Sequence, residues 1–458
     1  MFSRKLWIAS GCTALVFFGG LGYYVYQSEM SPARTQSSKK DSNRLFENSF
    51  ITSQTDKVED EPSALFNDPA ISQAWGLKKS DAARAWSITK GSKEILVAII
   101  DTGIDVNHED LADNLWKNPG ETGKDAQGRD KASNGVDDDN NGFIDDVHGW
   151  NFVSNNPKLD DNHGHGTHIA GIVGAEAGNG KGIIGISPQV SLMILKYYDP
   201  KVPSADNLKN TVASIKYAVK MGANIINYSG GGTEFSQEEH DAVAEAEKKG
   251  ILFVAAAGNE RSNSDQHHYY PADYKLRNII SVTAIDPATQ VLSSSNYGVD
   301  TVDIAAPGQN ILSCLPNNSY GYMTGTSQAT AFVTGAAALV MAHKQNFQAE
   351  EVKRYILSTG DAQTQLASKT KSSRQLNLFK ALAILDQGVS ATGVVAVNTQ
   401  NIKRFTADPN DKNSKLTAED GVDQTASDMS HFGRSLIDAM GSKIKPSKVG
   451  TKQDGEGF

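Results

Sequence analysis

The sequence predicts a mostly parallel α/β sheet covered by helices on both faces, and three observations carry this expectation. Short apolar runs of strand length alternate with segments of helical periodicity. The runs are continuously apolar rather than alternating, as strands buried on both faces require. Residues able to do chemistry fall just past the ends of those runs, where sites gather in open parallel sheets.

In chain order, residues 95–100 (ILVAII) form the first strand, which stops at Asp101-Thr102-Gly103. Residues 190–196 form another. Leu208, Val212, Ile215 and Val219 follow helical spacing, with Gly222 as the stop. Residues 224–228 read as a strand running into Ser229-Gly230-Gly231-Gly232. Ser236 and Glu239 make a capping-box pattern that opens a helix through Lys249, ended by Gly250. Residues 251–257 are a fully apolar strand leading to Gly258-Asn259, and residues 332–341 an apolar helical run.

The 458 residues suffice for one large domain with accessories. The patterned part covers residues 67–387. Ahead of it, Arg4 and Lys5 precede an apolar run over residues 6–25. About 20 such residues cross a bilayer, so residues 1–27 read as a signal peptide or transmembrane anchor. The basic residues before the run, and Glu29 after it, put the bulk of the chain outside the cytoplasm, membrane-anchored or secreted. Residues 28–66 are a polar linker or short pro-segment. Residues 388–458 are polar and expected to be largely disordered. The net charge of −9, with no dense Lys/Arg run, argues against nucleic acid as a partner. Of the two cysteines, Cys12 lies inside the apolar run, so no structural disulfide with Cys314 is expected. No pattern fixes an oligomeric state.

Serine becomes a nucleophile when a neighbouring histidine takes its proton, and a buried carboxylate orients that histidine. Asp101 ends a buried strand. His165 lies in His163-Gly164-His165-Gly166-Thr167-His168-Ile169-Ala170-Gly171, a small-residue stretch suited to opening a helix. Ser327 lies in Gly325-Thr326-Ser327-Gln328-Ala329-Thr330-Ala331, just ahead of the apolar helical run. A helix start would set free N–H groups and a positive dipole end beside the reacting oxygen.

These three segments resemble the Asp, His and Ser motifs of the subtilisin-like (subtilase) peptidases, in that family's chain order. The resemblance implies a subtilisin-like fold and a serine endopeptidase acting on proteins or peptides through an acyl-enzyme. Asp101, His165 and Ser327 would be its triad, with His168 structural. It further implies that Asn259, in Ala255-Ala256-Ala257-Gly258-Asn259, completes an oxyanion hole with the Ser327 N–H. Ser229-Gly230-Gly231 resembles the family's substrate-binding segment, where a peptide could add as a strand. Tyr270-Pro271-Ala272 and Ala306-Pro307-Gly308 match framework segments. The resemblance covers approximately residues 67–387.

Asp137, Asp139 and Asn141, followed by Gly142, resemble the first part of an EF-hand calcium loop, with Phe143 and Asp145 as further positions. Carboxylates packed this closely repel one another without a cation. His148 stands where that loop has its bidentate glutamate, so other carboxylates are needed to close the cage. Similar insertions in some subtilases imply structural Ca²⁺; a solvated acidic turn is the other reading.

Gln328 and Ala331 replace the Met and Pro that the family commonly has after the nucleophile. Residues 28–66 are too few for an independent inhibitory prodomain. These departures keep two alternatives open: a catalytically silent, subtilase-like peptide-binding protein, and a narrow maturation protease.

Overall fold

The computed structural model describes residues 67–345 and 348–383. The expected N-terminal apolar segment, the polar linker and the tail at 388–458 lie outside the described residues. Eleven strands are formed: β1 (Gly91–Asp101), β2 (Gly149–Asn151), β3 (Gln189–Lys196), β4 (Ile225–Tyr228), β5 (Leu252–Ala256), β6 (Ile279–Ile285), β7 (Ile304–Pro307), β8 (Ile311–Leu315), β9 (Ser319–Met323), β10 (Asp361–Ala362) and β11 (Arg374–Gln375). The helices are α1 (Trp75–Lys79), α2 (Ala82–Trp86), α3 (His165–Gly174), α4 (Asn207–Lys220), α5 (Gln237–Lys248), α6 (Thr326–His343), α7 (Ala349–Thr359) and α8 (Leu378–Ala383).

Nine strands make one sheet in the order β10-β11-β7-β6-β5-β4-β1-β3-β2, while β8 and β9 form a separate hairpin. Every neighbouring pair in the sheet is parallel except β10 with β11. The continuous apolar strands divide their side chains between two cores. In β1, Val97 and Ile99 join the core on one face, while Ala98 and Ile100 join the core on the other. In β5, Leu252 and Val254 alternate in the same way with Phe253 and Ala255. The first core is covered by α3, α6 and α7, the second by α4 and α5. Period-2 side chains meeting helices on both faces is the physical reason these strands carry no polar alternation.

Helices α3, α4, α5 and α6 fall where the sequence pattern places helices, α1, α2, α7 and α8 are not read from it, and α5 differs in one detail. The Ser236 hydroxyl accepts from the Glu239 N–H at 3.3 Å and caps α5. Glu239 does not return the bond to the Ser236 N–H. Its carboxylate accepts from the Tyr274 hydroxyl at 2.9 Å, and that hydroxyl also meets the Ser236 N–H. A tertiary contact thus replaces half of the local box. Helix α6 is buried from Thr326 to Met341, as a helix apolar all round must be. Cys314 on β8 is a buried free thiol.

Candidate active site

Asp101 is the last residue of β1 and is 2% exposed. Its Oδ1 accepts from the Thr102 N–H at 2.8 Å and from His165 Nδ1 at 2.8 Å. His165 opens α3, so the contact requires a helix start to lie against a strand end. Two glycines permit it. A Cβ on Gly166 would stand 2.2 Å from the Gly103 carbonyl oxygen and 3.2 Å from Asp101 Cβ. Gly103 itself has φ +112°, and a Cβ there would stand 2.3 Å from the Leu159 carbonyl oxygen. A side chain at Gly166 would push the start of α3, and with it the imidazole, away from the carboxylate, and one at Gly103 would strike the 159–160 backbone.

The sequence reading missed Asp161, which organises this half of the site. Its carboxylate accepts from Thr102 Oγ1 (2.8 Å), His163 N (3.0 Å), Gly164 N (2.7 Å), Thr167 N (2.9 Å) and Thr167 Oγ1 (2.7 Å). One group thereby meets the Thr167 N–H in the first turn of α3 and the two N–H groups just ahead of that helix, and ties them to the residue after Asp101. Burial would raise the Asp161 pKa, yet these hydrogen bonds, those from Thr167 first, hold it below the usual carboxylate value. The local signal was weak: Asp161 stands four positions ahead of His165 but six ahead of Thr167, beyond the two or three residues an N-cap spans. Next to it, the buried Lys196 Nζ donates to the Asp160 carbonyl at 2.5 Å and pairs with Asp199 at 2.7 Å.

Burial alone would lower the His165 pKa. The Asp101 charge and hydrogen bond outweigh it and raise the pKa above the ordinary 6.5. His168 behaves oppositely. Burial, and then the charge on His165, push it down to about 3. Its Nε2–H donates to the Ile311 and Gly321 carbonyls at 2.9 and 3.2 Å, so it pins α3 to the β8–β9 hairpin as a neutral ring. The His163 ring stands edge-on to His165 at 6.0 Å and has its pKa lowered by burial.

Ser327 is the second residue of α6, where an N–H has no carbonyl one turn back to bond. Helix α6 packs on α3, and its first residues bond Ser229, past the end of β4, and Asn259, past the end of β5. In this structure Ser327 Oγ donates to the Ser229 carbonyl at 3.1 Å rather than to His165. Asn259 follows β5, and its Oδ1 accepts from Thr326 N at 3.0 Å and Thr326 Oγ1 at 3.3 Å. That fixes the orientation of the amide and turns Nδ2 to the other side. Ser229 and Gly230 are half-buried past the end of β4, and Gly231 is exposed.

In the acidic loop, Asp137 and Asp139 come together with Glu121, carboxylate oxygens lying within 4.8 Å of one another. Glu121, which the sequence reading did not name, is a further carboxylate beside this loop, and it arrives from the segment after Pro119. The His148 ring instead meets the Trp116 carbonyl at 2.6 Å. Asn141 turns its Nδ2 to Asp139 (3.1 Å) and Asp146 (2.8 Å). Asp145 is outside the cluster and accepts from the Gly135 N–H at 3.1 Å. The Phe143 ring packs edge-on against Trp150 and Tyr217. Glu121 is fully buried, and its Oε2 has no hydrogen-bond partner. Burial raises its pKa, opposed by the Asp138 N–H and reinforced by Asp146 and Asp139. An orphaned buried carboxylate oxygen among other carboxylates fits a hard cation.

A second buried carboxylate with an orphaned oxygen was not foreseen. Asp68 is fully buried, with Oδ2 accepting from the Gly178 N–H at 2.8 Å and Oδ1 without a partner. Burial, helped by the charge on Asp110, raises its pKa to about 6. Asp110 accepts from Asn179 Nδ2 at 2.8 Å and from the Ile183 N–H at 3.0 Å.

Comparison with known proteins settles the family. A profile described as "Subtilase family" matches residues 92–379. This chain belongs to the subtilase family. Thermitase of Thermoactinomyces vulgaris is 34% identical over 69% of the chain and 98% of its own length. The major intracellular serine protease of Bacillus subtilis is 36% identical over 67% of the chain and 85% of its own length. Subtilisin-like protease 2 of Plasmodium falciparum is 32% identical over 70% of the chain, a stretch that spans only 22% of that protein. The parallel sheet with helices on both faces agrees with the subtilisin-like fold expected from the sequence.

Proposed function

We propose that this subtilase is a serine endopeptidase. Ser327 Oγ attacks the scissile carbonyl carbon while His165 Nε2 takes the hydroxyl proton. Asp101 holds the imidazole by Nδ1 and stabilises its positive charge. The tetrahedral oxyanion lies between the Ser327 N–H and Asn259 Nδ2. The C–N bond then breaks as His165 returns the proton to the leaving amine, and water hydrolyses the ester by the same route. Ser229-Gly230-Gly231 offers an edge for an extended peptide substrate.

The observation that carries this reading is the 2.8 Å bond from His165 Nδ1 to the buried Asp101 carboxylate. Rotation of the Ser327 hydroxyl away from Ser229 brings it into use, and such bonds commonly tighten only with substrate bound. The test is a serine-reactive phosphonate applied to the full chain in calcium, with casein hydrolysis followed in parallel. Labelling at Ser327, and loss of turnover in Ser327→Ala, are expected. The same hydroxyl-to-Ser229 bond favours a catalytically silent peptide binder as the second reading. A folded sample that binds peptides but takes no label would establish that reading instead.

For calcium, Glu121, Asp137 and Asp139 would hold one ion and Asp68 with Asp110 another, each supplying structural charge neutralisation away from the reacting atoms. Export through the N-terminal apolar segment, with the catalytic domain outside the cytoplasm, completes the proposal. It is supported by the order of basic and apolar residues there.

A further inference from the structure

The cleft beside Ser327 holds one large side chain with no role in the proposed chemistry. Strands β4 and β5 are parallel neighbours. Just past them, Gly231 and Gly258 each leave room where other residues carry a side chain. Tyr269 takes that room from both sides. A Cβ on Gly231 would stand 2.5 Å from Tyr269 Cε1, and one on Gly258 would stand 3.0 Å from Tyr269 Cδ1. The ring is therefore sandwiched between the two segments that flank Ser327.

Its backbone is held firmly. The Tyr269 N–H donates to Asp273 at 2.8 Å. The next residue, Tyr270, exchanges two bonds with Gly232, at 2.9 and 2.7 Å. Burial pushes the Tyr269 hydroxyl pKa up, with the Glu260 charge adding to it. Glu260 is itself fixed by Asn296 Nδ2 at 2.6 Å. The backbone bonds fix where the side chain starts, and the Gly231 and Gly258 backbones bound its ring on either side.

A peptide whose carbonyl carbon meets Ser327 Oγ has its oxygen toward Asn259 and its backbone along Ser229–Gly231. The side chain of the residue that supplies the carbonyl then points into the gap between the two glycine segments. We infer that Tyr269 occupies this gap and restricts the acyl-side residue of the cut bond to glycine, alanine or serine. The inference rests on the peptidase reading and adds the substrate class to it.

The test is a set of peptides identical except at the acyl-side residue, with kcat/KM read by mass spectrometry. The parent chain is expected to prefer alanine to phenylalanine by about tenfold or more, the scale on which a pocket rejects excess volume. Tyr269→Ala is expected to raise cleavage after phenylalanine by about tenfold, while Tyr269→Phe, which keeps the ring, retains the preference for alanine. A parent that cuts after phenylalanine as fast as after alanine overturns the inference and leaves the peptidase reading intact. So does a phosphonate-reactive Tyr269→Ala chain with the parent's profile. If Tyr269→Ala does not fold, the parent profile alone decides. A parent with no turnover at all sinks the peptidase reading and this inference together.

Discussion

Two groups of carboxylates in this molecule face opposite electrostatic situations. Asp161 collects five N–H and O–H donors and sits below the usual carboxylate pKa. Glu121 and Asp68 are fully buried, each keeps an oxygen without a partner, and both are raised. Asp161 is complete within the chain: it lends its charge to helix and strand ends and asks nothing of solution. The other two each leave one buried oxygen unmatched by the chain. Leaving such groups buried is costly unless a positive charge arrives. The Asp101–His165 end of the proposed site is therefore held by hydrogen bonds within the chain, whereas Glu121 and Asp68 keep a buried oxygen that no group of the chain meets.

The comparison is broken or sharpened by experiments that strike one region at a time. Asp101→Asn has the largest expected effect, a fall in kcat of about 10⁴ through loss of the correctly held tautomer, with the chelator response unchanged. In the parent, kcat/KM should fall as pH drops through the His165 pKa, because only neutral imidazole accepts the serine proton. That limb lies above 6.5, and in Asp101→Asn it should move to lower pH.

Asn259→Ala removes one oxyanion donor and should lower kcat by about 10²–10³ with little change in KM, the general scale for a single donor. Asp161→Ala leaves several N–H groups at the start of α3 without an acceptor. A loss of about 3 kcal/mol in denaturant unfolding is expected. If neither stability nor the pH profile moves, the self-sufficiency of that region is disproved.

Chelation should lower Tm, since an ion at a hundred times its Kd contributes about 2.7 kcal/mol. Glu121→Gln should reduce that response and stabilise the chelated protein, because it removes a buried like charge. A calcium response identical to the parent's would exclude Glu121 as a ligand.

The smallest effect is in the pH dependence of the ion-free protein. The folded pKa of Asp68 is raised from 3.8 to about 6. Its contribution is therefore fully present below pH 3.8 and is lost as pH rises through 6. Asp161 has a lowered pKa, so its contribution is present at neutral pH and lost on acidification. Asp68→Asn should flatten the decline between pH 4 and 6. Calcium should do the same.

The sequence by itself determined the parallel α/β class, the sheet strands β1, β3, β4 and β5 and the helices α3, α4, α5 and α6, but not β2, β6, β7, β10 or β11. It placed Asp101, His165, Ser327 and Asn259 near the ends of such runs. Apolar period and local turn chemistry are properties of neighbouring residues, and these four sit at the ends of the runs they define. It also located the acidic loop, but not Glu121 or Asp68. Tertiary structure alone decided that Glu121 joins Asp137 and Asp139, that Glu239 turns to Tyr274, that Asp161 locks Thr102 to α3, and that Tyr269 fills the gap between Gly231 and Gly258. Each of these depends on two segments far apart along the chain coming within a few ångströms. Local pattern does not encode that; only the packing of the folded chain fixes it.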